Sequence, residues 1–420
     1  MCRKFFSTII FLLMVCCMSN EKVFAEIVSV RGIAEVYGDG EKISSAIVEY
    51  PKNISAQKIS VQDFQVEGKI IESIEVGGKF VTLNFRYENT AFDGQLMPKP
   101  NHRKDDKPMS DAPRRSDRKI PDLKFSVKQV NTIFAIDGTK FLPDEKICES
   151  ITAPIIEKFQ QFIYVDAETG LSIPYNLYLP EGYDADKKYP LLFFVADASA
   201  NINEVTTPLW QGNGATIWAT DESQLKNPCI ILAPQYTADL VDEIGMMTTD
   251  ENIWTKGLSL VTNLLFDVIN KYSVDKTRIY GAGQSQGGMA NIAISDKYPE
   301  LFAAQMLVAC QWNVDEMKIL KDKNLWIIVC EGDTKAFPTM NAAVERWKNL
   351  GAKVATTSKF CDSKSSVAEL DAQVKSLATQ GANINYTVFA GGNHMYTWSF
   401  AYNIDAIRDW IFSKKNLGVD

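Results

Sequence analysis

After about Thr152 the chain repeats a pattern that few folds accommodate: short, near-continuous apolar runs separated by segments of helical period. The runs are YPLLFFVAD (189–197), NPCIILAP (227–234), RIYGAG (278–283), AAQMLVAC (303–310), LWIIVC (325–330) and INYTVFA (384–390). A strand with one wet face alternates apolar and polar residues, so strands without a polar face must be covered on both sides. The segments KGLSLVTNLLFDVINKY, PTMNAAVERWKNLG and SVAELDAQVKSLATQG supply covering helices, and FQQFIYVD with LSIPYNLYLP reads as an opening hairpin around Thr169-Gly170. The order predicts an α/β domain over 151–420 built on a doubly wound, mostly parallel sheet, with its site at the carboxyl ends of the strands.

The 420 residues are long for one core, and the texture before residue 150 differs. Between 26 and 150, short alternating runs flank Gly38-Asp39-Gly40 and Gly77-Gly78, both hairpin signals, and FSVKQVNTIF adds a strand. These predict a small β-sandwich. Its segment 97–122 is rich in Pro, Lys, Arg and Asp, has almost nothing to bury, and reads as an exposed, solvated loop. Residues 1–25 read as a secretory signal peptide: Arg3 and Lys4, an apolar run of about 14 residues, then the small-residue cleavage site Val23-Phe24-Ala25. A lipoprotein signal would use Cys16 or Cys17, but neither follows Gly or Ala. No other apolar run is long enough to span a bilayer.

Net charge excludes one class of partner. At −8 the chain lacks the basic surface that nucleic acid requires, so a neutral or weakly polar substrate fits better. Beyond the signal, Cys148, Cys229, Cys310, Cys330 and Cys361 form an odd set without paired CxxC spacing, which predicts neither a disulfide framework nor a zinc site.

The chemistry concentrates in RIYGAGQSQGGMA, where Gly283-Gln284-Ser285-Gln286-Gly287 spells GxSxG directly after a predicted strand and before a helical stretch. That is the setting of a nucleophile elbow, whose sharp turn leaves no room for side chains at the flanking glycines. A serine hydroxyl needs a base to take its proton, and histidine has the suitable pKa. The chain has two histidines: His102 lies in the polar loop, and His394 follows the last predicted strand in FAGGNHMYTW. An acid must hold the imidazole's tautomer. EGD after LWIIVC offers Asp333, favoured because Gly332 permits a turn back across the strand ends, with Glu331 as the alternative. The order Ser285, Asp333, His394 is that of α/β-hydrolases. The backbone amides of Gln286 and, from the loop after LLFFVAD, Ala198 are the expected oxyanion donors. Asp197, Trp312 and Trp210 are candidate substrate contacts, and Trp398, one helical turn past His394, is expected to pack against the base.

The second domain resembles the α/β-hydrolase esterases of the feruloyl-esterase-like group. The whole arrangement resembles bacterial secreted esterases with an N-terminal immunoglobulin-like domain. The resemblance rests on YGDGEKISSAIVEY in the first domain and on YNLYLPEGYDADKKYPLLFF, GQSQGG, EGDTKAFPTMNA and GGNHMYTW in the second. It implies hydrolysis of carboxylic esters, often with short acyl groups, without metal or organic cofactor, and a triad of Ser285, Asp333 and His394. The implied substrate is a small-molecule or polysaccharide-linked ester. This chain departs from the pattern at Ala196-Asp197, where many relatives carry His-Gly, and in its basic insert. Two other readings compete: a prolyl-oligopeptidase-like peptidase, although no propeller domain is legible, and an adhesion protein using its sandwich domain.

Overall fold

The computed structural model describes residues 23–24, 26–88, 123–416 and 418. The expected signal segment before Val23, Ala25, His102 and the loop 97–122 lie outside the described residues. Contacts divide the chain into one unit of Met1–Gly32, Ser45–Arg86 and Lys124–Ser150 and another of Ile33–Ser44, Tyr87–Leu123 and Ile151–Asp420. The tip of the first hairpin thus groups with the second unit.

The N-terminal region is all β. A five-stranded sheet runs in the order Ser150–Thr152, Ser29–Tyr37, Gly40–Glu49, Phe80–Phe85, Ile71–Gly77, with two three-stranded sheets beside it. Both glycine-marked turns join antiparallel strands, and Gly40 and Gly78 adopt the positive φ such turns need. Val81, Leu83 and Phe85 are buried at every second position; buried Val48 pairs with Val81, and the buried rings of Tyr50 and Phe141 lie 5.1 Å apart. Val23–Phe24, which the cleavage motif contains, pairs in parallel with Lys140–Phe141.

Nine strands form the sheet of the second unit: β1 (Gln160–Val165), β2 (Ser172–Tyr178), β3 (Tyr189–Val195), β4 (Ile230–Pro234), β5 (Val274–Gln284), β6 (Ala304–Val308), β7 (Leu325–Cys330), β8 (Val354–Thr356) and β9 (Ile384–Phe389). Their spatial order is β1-β2-β4-β3-β5-β6-β7-β9-β8. β2 is antiparallel to both β1 and β4, and every other neighbouring pair is parallel.

Successive residues of the central strands enter different cores, which is why the runs lack a polar face. Leu191, Phe193 and Val195 of β3 pack with α1 (Lys256–Lys271), α2 (Gln286–Lys297) and α3 (Ala336–Asn349). Leu192 and Phe194 face the other way, toward α4 (Val367–Ala378) and α5 (Asp405–Phe412). β7 repeats the division, with Leu325, Ile327 and Val329 in one core and Trp326, Ile328 and Cys330 in the other. The helix ends follow their sequences: Thr255 caps α1 by accepting the Leu258 N–H, and Ser366 and Glu369 form a capping box on α4. Edge strand β8 is three residues long, too short to show a period in sequence.

Candidate active site

Ser285 stands between the end of β5 and the start of α2 with φ 49° and ψ −119°. A non-glycine residue there carries a backbone cost of about 1–3 kcal/mol, and the surroundings enforce it. The Ser285 N–H donates to the Val308 carbonyl at 3.0 Å, while its carbonyl accepts the Met289 N–H at 2.9 Å. The glycines of the motif are steric requirements. A Cβ on Gly287 would lie 1.8 Å from the Val195 carbonyl oxygen, and one on Gly283 would lie 2.6 Å from the Gly287 backbone. The turn is therefore pressed against the end of β3, and Ser285 projects from it.

His394 follows β9, and its Nε2 lies 2.8 Å from Ser285 Oγ. Its Nδ1 lies 2.6 Å from Asp333 Oδ2. A carboxylate acceptor fixes the Nδ1–H tautomer, leaving Nε2 to accept from the serine hydroxyl. Asp333 is 2% exposed. Burial by itself pushes its carboxyl up, but hydrogen bonding and charge from His394, with the Ala336 and Lys335 N–H groups on Oδ1, bring it below the ordinary carboxylate value. The acid is held ionised at the back of the imidazole. The Trp398 and His394 rings pack edge to face, 5.4 Å apart between centroids and at 89°, the packing expected of Trp398.

Of the two acids after β7, Asp333 is the partner of His394, and Glu331 has a different one. Glu331 Oε2 accepts the Gly391 N–H at 3.1 Å, tying the acid-bearing turn to the loop that carries the histidine. Between them Gly332 is indispensable, because a Cβ there would lie 1.9 Å from the Gly392 carbonyl oxygen.

Ala198 opens a short turn, Ala198–Ala200, after β3, and Gln286 opens α2. Among the described residues neither backbone N–H has a hydrogen-bond partner. Two further ties, invisible in the sequence, join these segments. Asn201 and Gln286 exchange side-chain amide bonds of 3.3 and 3.1 Å. Asp197 accepts from the Ser199 N–H at 2.7 Å and from Gln284 Nε2 at 3.3 Å.

Of the three expected substrate contacts, two are buried and one is half-buried. Asp197 is 4% exposed and its carboxylate is turned to neighbours within the protein. Trp312 is 3% exposed, belongs to the core beside α2, and donates its indole N–H to Glu316 at 2.8 Å. Trp210 is half-buried, with its indole nitrogen enclosed and without a hydrogen-bond partner among the described residues. An aromatic residue at a strand's carboxyl end can as well close the core as line a cleft, and its letter does not distinguish the two. Among the described residues no cluster of His, Cys, Asp and Glu could hold a metal ion, and no helix is long and apolar enough to cross a membrane.

A mixed nine-stranded sheet with a serine on the turn between a central strand and its helix, and a histidine after a later strand, defines an α/β hydrolase. Residues 167–408, more than half of the chain, match the family described as "Putative esterase", and residues 29–142 match the esterase immunoglobulin-like N-terminal domain. The chain belongs to this esterase family and carries its N-terminal immunoglobulin-like domain. A solved thermostable esterase shares 24% identity over 93% of this chain and 100% of its own, with a TM-score of 0.72, a likeness of fold. The feruloyl esterase module of Clostridium thermocellum, solved with sinapinate, is 15% identical over 62% of this chain and 89% of its own, with a TM-score of 0.42. The S-formylglutathione hydrolase of Staphylococcus aureus is 13% identical over 60% and 96%, with a TM-score of 0.36. No curated protein is significantly similar to the chain.

Proposed function

We propose that the chain is an exported serine esterase that hydrolyses carboxylic esters of short acyl or aryl acids through an acyl-enzyme. The observation that carries this reading is the continuous hydrogen-bonded line from Ser285 Oγ through His394 to Asp333, with bonds of 2.8 and 2.6 Å. In the first half-reaction His394 Nε2 takes the serine proton as Oγ attacks the ester carbonyl carbon. The carbonyl oxygen becomes an oxyanion, met by the N–H groups of Gln286 and Ala198. The imidazolium, stabilised by ionised Asp333, then gives its proton to the departing alcohol oxygen as the C–O bond breaks. In the second half-reaction His394 deprotonates a water molecule that attacks the acyl carbon. The carboxylic acid leaves, and the proton returns to Ser285. Export rests on the signal-like residues 1–25.

The test is turnover of p-nitrophenyl acetate by Ser285→Ala. A fall in kcat of about a millionfold is expected, together with loss of covalent labelling by a fluorophosphonate. Undiminished turnover would refute the reading. A series of p-nitrophenyl esters of increasing acyl length, with methyl ferulate, then sets the acyl preference, including that of esters linked to polysaccharide. Sequencing the N-terminus of exported protein checks cleavage after Ala25.

A further inference from the structure

We propose that Asp197 is a positioning residue for the oxyanion site, its carboxylate locking the turn that carries the Ala198 N–H to the strand that carries the nucleophile. The inference rests on the serine-esterase reading above.

Three donors converge on this carboxylate. Oδ1 accepts the Ser199 N–H at 2.7 Å, which shapes the turn, and the Gln211 amide at 3.3 Å. Oδ2 accepts from Gln284 at 3.3 Å. Gln284 is the residue immediately before Ser285, is 3% exposed, and has its own oxygen fixed by the Tyr402 hydroxyl at 2.8 Å. Burial, then the neighbouring Cys310 and after it Asp197, holds the Tyr402 phenol well above its ordinary value, so it stays a donor. A chain of bonds therefore runs from Tyr402 through Gln284 to Asp197 and on to the turn bearing Ala198. On the other side of the same turn Gln235 donates to the carbonyls of Ala200 and Ile202, at 2.9 and 2.6 Å.

This arrangement needs a carboxylate. An oxyanion site works by having its donors fixed before charge develops, so the relative placement of the Ala198 and Gln286 N–H groups sets its strength. A negative charge next to that site opposes the oxyanion, and neutral asparagine would relieve the opposition. Asparagine has one acceptor oxygen, however, and would turn its NH2 toward another amide donor. Repulsion and positioning thus predict opposite signs for one substitution.

The experiment compares Asp197→Asn and Tyr402→Phe with the wild type by kcat and KM for p-nitrophenyl acetate, by the rate of fluorophosphonate labelling, and by thermal unfolding. For Asp197→Asn, kcat should fall about tenfold to a hundredfold, short of the 10²–10³ for a lost donor. KM should stay within about twofold, because the ground-state carbonyl makes little use of the donors. Labelling should slow in parallel, since the phosphonyl oxygen occupies the same site. Tyr402→Phe removes one hydroxyl and should show the same split on a smaller scale, about threefold to tenfold in kcat. An Asp197→Asn enzyme as fast as or faster than wild type would overturn the inference, as would failure of both variants to fold, which would make the network purely structural. If Asp197→Asn alone fails to fold, Tyr402→Phe decides: unchanged kcat overturns the inference and the smaller kcat fall supports it. If Ser285→Ala is inactive while both variants match wild type, this inference fails alone; an active Ser285→Ala removes the reading beneath it.

Discussion

Asp333 and Glu331 stand two residues apart with different work, and their substitutions should separate accordingly. Asp333→Asn leaves the geometry near His394 but favours the wrong tautomer, so kcat on p-nitrophenyl acetate should fall about 10⁴-fold. Glu331→Gln keeps an acceptor for the Gly391 N–H, and kcat should stay within about tenfold of wild type. The lowered pKa of Asp333 also has a stability consequence. A carboxyl whose folded value lies below its unfolded value of about 4 contributes stability that is complete above that pH and is lost as the pH falls through the folded value. Unfolding temperatures measured from pH 7 down to pH 2 should drop below about pH 4, and less steeply in Asp333→Asn. The sequence offered both acids, and its preference for Asp333 rested on the freedom of Gly332. The structure assigns that glycine a further task, the close approach to Gly392.

Helix α2 is preceded by Ser285, the proposed nucleophile, and holds an anomalous acid near its other end. Asp296, near its carboxyl terminus, has both side-chain oxygens buried; no hydrogen bond of normal geometry reaches them among the described residues, and the nearby Trp312 indole favours the charged form only weakly. Burial, then the charge of Glu316, pushes its carboxyl up to about 7. The sign is opposite to that of Asp333. Stability from this group is fully present below the unfolded value of about 4 and is lost as the pH rises through about 7. Asp296→Asn should therefore unfold at a higher temperature than wild type at pH 8, with the difference shrinking toward pH 4. A domain of this size gains about 2–4 °C per kcal/mol recovered. The two loops behind the base make a similarly local prediction. Gly332→Ala would place a methyl 1.9 Å from the Gly392 carbonyl oxygen, so the loops must separate, and kcat and unfolding temperature should both drop. The helix and both glycines were legible as letters, whereas the close approaches and the burial of Asp296 beside Glu316 depend on chain segments distant in sequence.

Across the whole molecule, the five cysteines of the described residues are free, and Cys229, Cys310, Cys330 and Cys361 are buried. Burial pushes the Cys229 and Cys330 thiols up to about 12, so they are poor nucleophiles as well as inaccessible. In protein lacking residues 1–25, an aromatic disulfide reagent should titrate Cys148 in the native state and the other four only in denaturant, and reductant should leave the unfolding temperature unchanged. The two architectures are legible in the chain, because periodicity is a local property: runs without a polar face demand cover on both sides, and alternating runs between glycine turns demand a sandwich. The sequence also singled out Ser285 and His394 as candidates, because the strand-turn-helix setting is local and the α/β region holds a single histidine. Tertiary structure decided what those residues face. Trp312 closes a core, Asp197 ties a turn to β5, and Gln284 is held by Tyr402, 118 residues further along the chain. Such partners meet because the order of strands in the sheet and the packing of helices on its faces bring their segments together. Neither distance nor direction between remote segments is written in the residues on either side of them.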